Sequence, residues 1–151
     1  MVDILTTEKR SALMGKIRRA HTTPEVVIRK GLHKAGFRYR VDCRNLPGAP
    51  DIVLPKHRAA IFVHGCFWHG HDCHLFRVPR TRTDFWAAKI AGNRERDERT
   101  LARLRREGWR VLVVWECSLR GPGRADTRKL VDKITEWILT GGKFKAIRGK
   151  K

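Results

Sequence analysis

The chain has 151 residues, with 34 Lys or Arg against 15 Asp or Glu and a net charge of +19. That length suffices for one domain with a real core, which excludes a mini-protein dependent on staples. The charge excess costs self-repulsion and exceeds what solubility requires, so it points to a polyanion: nucleic acid or an anionic membrane surface.

The N-terminal MVDILTTEKRS has no apolar h-region, and no apolar stretch approaches a membrane span. A cytosolic protein is expected, in which the four cysteines are thiols or metal ligands rather than disulfides.

Thr23, Pro24 and Glu25 open a helix that Gly36 ends, with Val27, Ile28, Leu32 and Ala35 on its apolar side. FRYRV (37–41) alternates like a half-buried strand, and LPGAP (46–50) is turn chemistry. DIVL (51–54) and AAIFV (59–63) flank the turn PKHR and read as a hairpin, with AAIFV apolar enough for a central strand. Further on, Thr83 is placed to cap a long helix running to about Gly108. One face of it carries Ile90, Asn93, Asp97, Leu101 and Leu104, with Asp97 interrupting an otherwise apolar stripe. WRVLVVW (109–115) reads as a buried strand, and Leu130, Ile134, Trp137 and Ile138 as a closing amphipathic helix. Residues 1–140 thus form one domain, and the tail 141–151, with five Lys or Arg and no acid, is expected to be disordered. The order α-β-β-β-α-β-α implies an α/β fold, a mixed sheet with helices on both faces.

Between the hairpin and the long helix runs IFVHGCFWHGHDCH (61–74). Cys66, His71 and Cys73 lie within eight residues, and Cys117 follows the strand 109–115. Three thiolates and an imidazole make a closed tetrahedral zinc site, structural because no position is left open for chemistry. Taken alone, Cys66 and Cys117 also suit small core residues. His71 and Cys73 argue for metal, since their polar loop has no apolar core to supply. Cys43 reads as a plain thiol, and His21 and His74 as solvated surface residues. Asp51 starts one hairpin strand, while His64 and His69 lie at and beyond the end of its partner. A carboxylate there suits Mg²⁺, and an adjacent imidazole suits proton abstraction from water, with Asp97 placed to orient His64. A turn residue after Pro50 is the plainer alternative for Asp51.

LPGAPD, IFVHGCFWHGHDCH, RTDFWAAKI, NRERD and GWRVLVVWEC together resemble the very short patch repair (Vsr) DNA mismatch endonucleases, over about residues 8–140. The resemblance implies a restriction-endonuclease-like core that nicks DNA 5′ to the thymine of T·G mismatches left by 5-methylcytosine deamination. It makes Cys66, His71, Cys73 and Cys117 the structural Zn²⁺ ligands. Asp51 becomes the Mg²⁺-binding carboxylate and His69 the catalytic histidine beside the attacking water. Glu25 and His64 serve the hydrated metal cluster, and Asp97 supports His64. The backbone carbonyl of Val63 becomes a metal ligand; well-known members carry threonine there, so any role for a hydroxyl is lost. Phe67, Trp68 and Trp86 match aromatic residues that wedge into DNA beside the mismatch, whereas Phe85 is assigned to the core. The implied setting is the bacterial cytoplasm and nucleoid. There a monomer acts on mismatched double-stranded DNA alongside a cytosine methyltransferase and a repair polymerase, with no membrane partner. Two other readings compete: a zinc-braced DNA-binding protein without catalysis, and another nuclease of the same core, such as a restriction enzyme or resolvase. Asp51, His64 and His69 speak against the first, and the Phe67–Trp68 wedge against the second.

Overall fold

The computed structural model describes residues 23–150; the N-terminal stretch, with His21, lies outside the described residues. Three helices, α1 (Thr23–Lys34), α2 (Thr83–Arg106) and α3 (Thr127–Thr140), accompany four strands: β1 (Ile52–Leu54), β2 (Ala59–His64), β3 (Arg110–Trp115) and β4 (Phe144–Ile147). The sheet order is β1-β2-β3-β4. β1 and β2 form the expected antiparallel hairpin, turning through Pro55–His57 with Arg58 left-handed at φ 53°. β2, β3 and β4 run parallel, and α2 and α3 make the two crossovers. The architecture is therefore mixed α/β, as the order of elements implies.

Period-two side-chain alternation splits the core into two layers. Ile61, Leu112 and Val114 face one cluster, which α1 closes with Ile28 and Leu32 and α3 closes with Leu130, Ile134, Trp137 and Ile138. Phe62, Val111 and Val113 face the other, closed by Leu104 of α2. With both faces covered, β2 and β3 need apolar residues at nearly every position, which explains the runs AAIFV and VLVV. None of the described helices is long and apolar enough to cross a membrane.

Four local expectations are corrected. FRYRV is not a strand: only Arg40 pairs, in an isolated bridge to Val53, while Phe37 and Tyr39 lean on the first core cluster. Thr83 does not cap α2, because its hydroxyl donates back to the carbonyls of Pro79 and Arg80, and left-handed Arg82 holds the cap position. Ala35 lies beyond the end of α1 and is exposed. The tail is ordered through β4. β3 would otherwise end the sheet with an unpaired backbone edge; β4 covers it and buries Ile147, while Lys143 and Lys145 stay in solvent.

Candidate active site and metal centre

The start of β1, the end of β2, α1 and α2 surround a cleft of about 1670 Å³, lined among others by Glu25, Asp51, His64, Trp68, His69 and Asn93. The hairpin places Asp51 beside the end of β2, where its Oδ2 accepts from the Val63 amide at 2.6 Å. Glu25, on the first turn of α1, is buried and pairs with Arg29 at 3.1 Å. Burial and the neighbouring Glu25 carboxylate raise the Asp51 carboxyl to about 7, against the lowering pull of the Val63 amide. Two acids gathered at one point, with Arg29 as a cationic neighbour, make a site for a hard cation, whose preferred donors are carboxylate and carbonyl oxygens.

His64 ends β2 and is buried; burial first, and then His69, push its imidazole down to about 3, so it is neutral. It stacks on His69 at 3.9 Å between centroids and 5° between planes. The hydrogen bond of Asp97 goes to His69 rather than to the expected His64, although its charge still bears on the His64 imidazole. The Asp97 Oδ2 lies 2.5 Å from His69 Nδ1, because α2 carries the carboxylate past the loop rather than past the strand end. Among the described residues the His64 Nδ1 finds no hydrogen-bond partner. His64, His69 and Asp97 nonetheless gather their nitrogens and carboxylate within 4.8 Å.

The loop after β2 is held tightly. His69 and His71 amides donate to the carbonyls of Gly65 and Cys66. Gly70 is left-handed at φ +61°, and a Cβ there would sit 2.6 Å from Ile90, so only glycine fits. Asn93 of α2 donates to the Trp68 carbonyl at 2.9 Å, and Glu116 accepts from the Cys66 amide at 3.2 Å. Asn93 lies on the inward stripe of α2, where only Asp97 is singled out from the sequence; its polar side chain at that spacing is the signal passed over. Glu116 carried no signal beyond its place in the WEC triplet.

Behind this loop the donor atoms of Cys66, His71, Cys73 and Cys117 converge within 4.8 Å of one another. A tetrahedral zinc ion, with metal–sulfur near about 2.3 Å and metal–nitrogen near about 2.0 Å, sets sulfur–nitrogen edges of about 3.5 Å. Cys66 and Cys117 Sγ each lie 3.6 Å from His71 Nδ1, so the residues fit such an ion. Burial pushes both thiols above their ordinary range, which keeps them protonated unless a cation takes the thiolates. Amides of Leu75, Cys117 and Gly149 point at the three sulfurs, from 3.3 to 3.4 Å, as donors suited to thiolate. Cys43 is half-buried and His74 exposed, both apart from this cluster.

Phe67, Trp68 and Trp86 form one half-buried aromatic cluster with centroids 5.2 to 5.9 Å apart. Lys89 stands over Trp68 at 5.8 Å. Phe85 is not a core residue: it is 45% exposed at the start of α2, beyond the reach of the sheet, with Arg82 over its ring.

Residues 2–75 match the family model described as DNA mismatch endonuclease Vsr. The chain is 48% identical to type II nicking enzyme V.XorIIP of Xanthomonas oryzae pv. oryzae, over 85% of this chain and 94% of that protein. It is 45% identical to DNA mismatch endonuclease Vsr of Escherichia coli, over 94% of this chain and 91% of that protein. Type II nicking enzyme V.NmeAIP of Neisseria meningitidis is 46% identical over 91% of this chain and all of its own length.

Proposed function

The chain belongs to the Vsr family of DNA mismatch endonucleases, and we infer that it is a DNA endonuclease that nicks one strand of a duplex 5′ to the thymine of a T·G mismatch. Such a nick starts short-patch repair of deaminated 5-methylcytosine, alongside a cytosine methyltransferase and a repair polymerase. The core is read as restriction-endonuclease-like and the active unit as a monomer.

One observation carries the chemical reading: Glu25, Asp51, His64 and His69 line one cleft, and Asp97 holds His69 from outside that lining. Asp51 and the Val63 carbonyl would hold Mg²⁺, with Glu25 and His64 around its water shell. When bound there, Mg²⁺ would supply Lewis-acid stabilisation of the phosphate and its leaving oxygen. The chain does the rest. Asp97 accepts from His69 Nδ1, which turns Nε2 into the acceptor for a proton from the attacking water. His64, neutral and stacked on His69, adds no charge to oppose the proton arriving there. Cys66, His71, Cys73 and Cys117 would hold Zn²⁺ with no open position, so that ion braces the loop and takes no part in the chemistry. Phe67, Trp68 and Trp86 would enter the base stack, and the basic surface would hold phosphates.

The test is cleavage of end-labelled duplexes that differ only by T·G or C·G at one site, with Mg²⁺ or with EDTA. A single nick 5′ to the thymine, with T·G and Mg²⁺ alone, is the expected product. Equal cutting of both duplexes would replace this reading by that of a restriction-type nuclease, and binding without cutting by that of a non-catalytic DNA-binding protein.

A further inference from the structure

Trp115 ends β3 directly opposite His64 of β2. Its indole lies face to face with the His71 imidazole, 4.0 Å between centroids and 9° between planes. The same ring meets His64 edge-on at 5.3 Å and His69 edge-on at 6.2 Å. One side chain therefore touches the Cys/His cluster and both members of the stacked histidine pair.

Those contacts matter because hydrogen bonds alone leave the pair loose. Among the described residues the His64 Nδ1 finds no hydrogen-bond partner, and the ring packs against Phe62, His69 and Trp115, contacts that set its orientation. The bond from His69 to Asp97 pins one nitrogen, about which the ring could still swing. A swing moves Nε2, the atom that must meet water, and small misplacements of a reacting group cost large factors in rate.

We propose that Trp115 is a positioning residue for nicking: it wedges the His64–His69 stack against His71, so that the Cys/His cluster holds the orientation of His69 through one indole. This rests on the reading of His69 as the group beside the attacking water. It also gives the brace behind the loop a catalytic consequence.

Trp115→Leu and Trp115→Phe in the full chain test it, with zinc content, T·G duplex affinity, single-turnover nicking and imidazole NMR signals as readouts. Trp115→Leu should keep its zinc and its duplex affinity, and lose about 10- to 100-fold in nicking rate at saturating protein. The ring signals of His64 and His69 should broaden or double while those of His33 and His57 stay sharp. Trp115→Phe, which returns an aromatic face to His71, should recover most of the rate. Should the leucine variant fail to fold, the phenylalanine variant decides, by a smaller rate loss at unchanged affinity with partial broadening. An unchanged rate with sharp His69 signals in a folded variant overturns the proposal. So does a fall of rate, affinity and melting temperature together with no advantage of Phe over Leu, since that is packing alone. A wild-type protein that fails to nick T·G duplexes would remove the reading of His69, and the ring signals would still decide whether Trp115 orders the pair.

Discussion

The Nδ1 of His69 and the Oδ2 of Asp97 lie 2.5 Å apart, tying the loop after β2 to the middle of α2. The carboxylate holds the imidazole in one tautomer, with Nε2 open to accept a proton. His69→Ala should keep its affinity for a T·G duplex and lose on the order of 10²–10⁴-fold in nicking rate. Asp97→Asn should fall in the same direction, because an amide at that place can hold the wrong tautomer. Single-turnover rates at saturating protein check both. A His69→Ala rate equal to wild type would move the base elsewhere, with His64 the next candidate.

The Asp51 carboxyl is raised from an ordinary 3.8 to about 7, so without metal the fold favours its protonated form. The sign follows: that stabilisation is complete below about pH 4 and is lost as pH rises through about 7. A divalent cation binds only the ionised form and so works in the opposite direction. Mg²⁺ binding should release a proton near neutrality, and Mg²⁺ should raise the melting temperature more at about pH 8 than at about pH 6. Calorimetry in two buffers of different ionisation heat measures that proton. Asp51→Asn should abolish the release and the nicking while keeping salt-dependent duplex binding. Mg²⁺-dependent nicking by Asp51→Asn would sink the metal assignment.

The C-terminal strap predicts a different kind of defect. The Gly149 amide donates to Cys117 Sγ at 3.3 Å, Lys150 bonds to Gly123, and the Arg148 guanidinium donates to the Asp72 carbonyl. A Cβ at residue 149 would fall 2.1 Å from the Cys117 carbonyl oxygen, which is too close for the segment after β4 to stay in place. Gly149→Ala, or truncation after Ile147, should therefore hasten zinc loss to a chelator and lower the melting temperature, with Mg²⁺ affinity untouched. Cys117→Ser should do the same more severely, by on the order of several kcal/mol, since a closed zinc site contributes folding energy. Purified active protein without stoichiometric zinc would disprove the brace.

What was legible in the sequence follows period and spacing. β2 and β3 are apolar at almost every position because both their faces are covered, and that pattern survives any tertiary context. Cys66, His71 and Cys73 sit close enough in sequence for one loop to bring them together, and Cys117 follows the strand paired with β2. The failures are of another kind. FRYRV has the alternation of a strand but finds only Val53 for a partner, since β1 is three residues long. β4 was hidden because its stability comes from pairing with β3 rather than from its own composition, FKAI between basic residues. Whether Asp97 serves His64 or His69 depends on how far α2 is displaced along the loop, which no spacing encodes. Trp115 reads as the end of a strand and Glu116 only as the residue after it, and their contacts appear only when two distant segments meet.

Selection of one mismatch by so basic a protein requires something other than charge. Phosphate contacts are blind to sequence, so they give affinity that falls with salt and no preference for T·G. Preference is expected from Phe67, Trp68 and Trp86, which stand together at the cleft and are not sealed in either core cluster. Opening a base step costs a few kcal/mol, less at a mispair, and aromatic stacking returns about 1–3 kcal/mol per base. Insertion is then near balance on a perfect duplex and favourable at T·G. Trp68 is the best member to test, because its backbone carbonyl is already fixed by Asn93 and its ring is half-buried, with Lys89 above it. Trp68→Ala should lose about 1–3 kcal/mol of T·G discrimination while its salt slope and melting temperature hold. Affinities for T·G and C·G duplexes across a salt series, with a melting control, measure all three. If both affinities fall equally, or the melting temperature collapses, Trp68 is a general contact or a packing residue and the wedge fails.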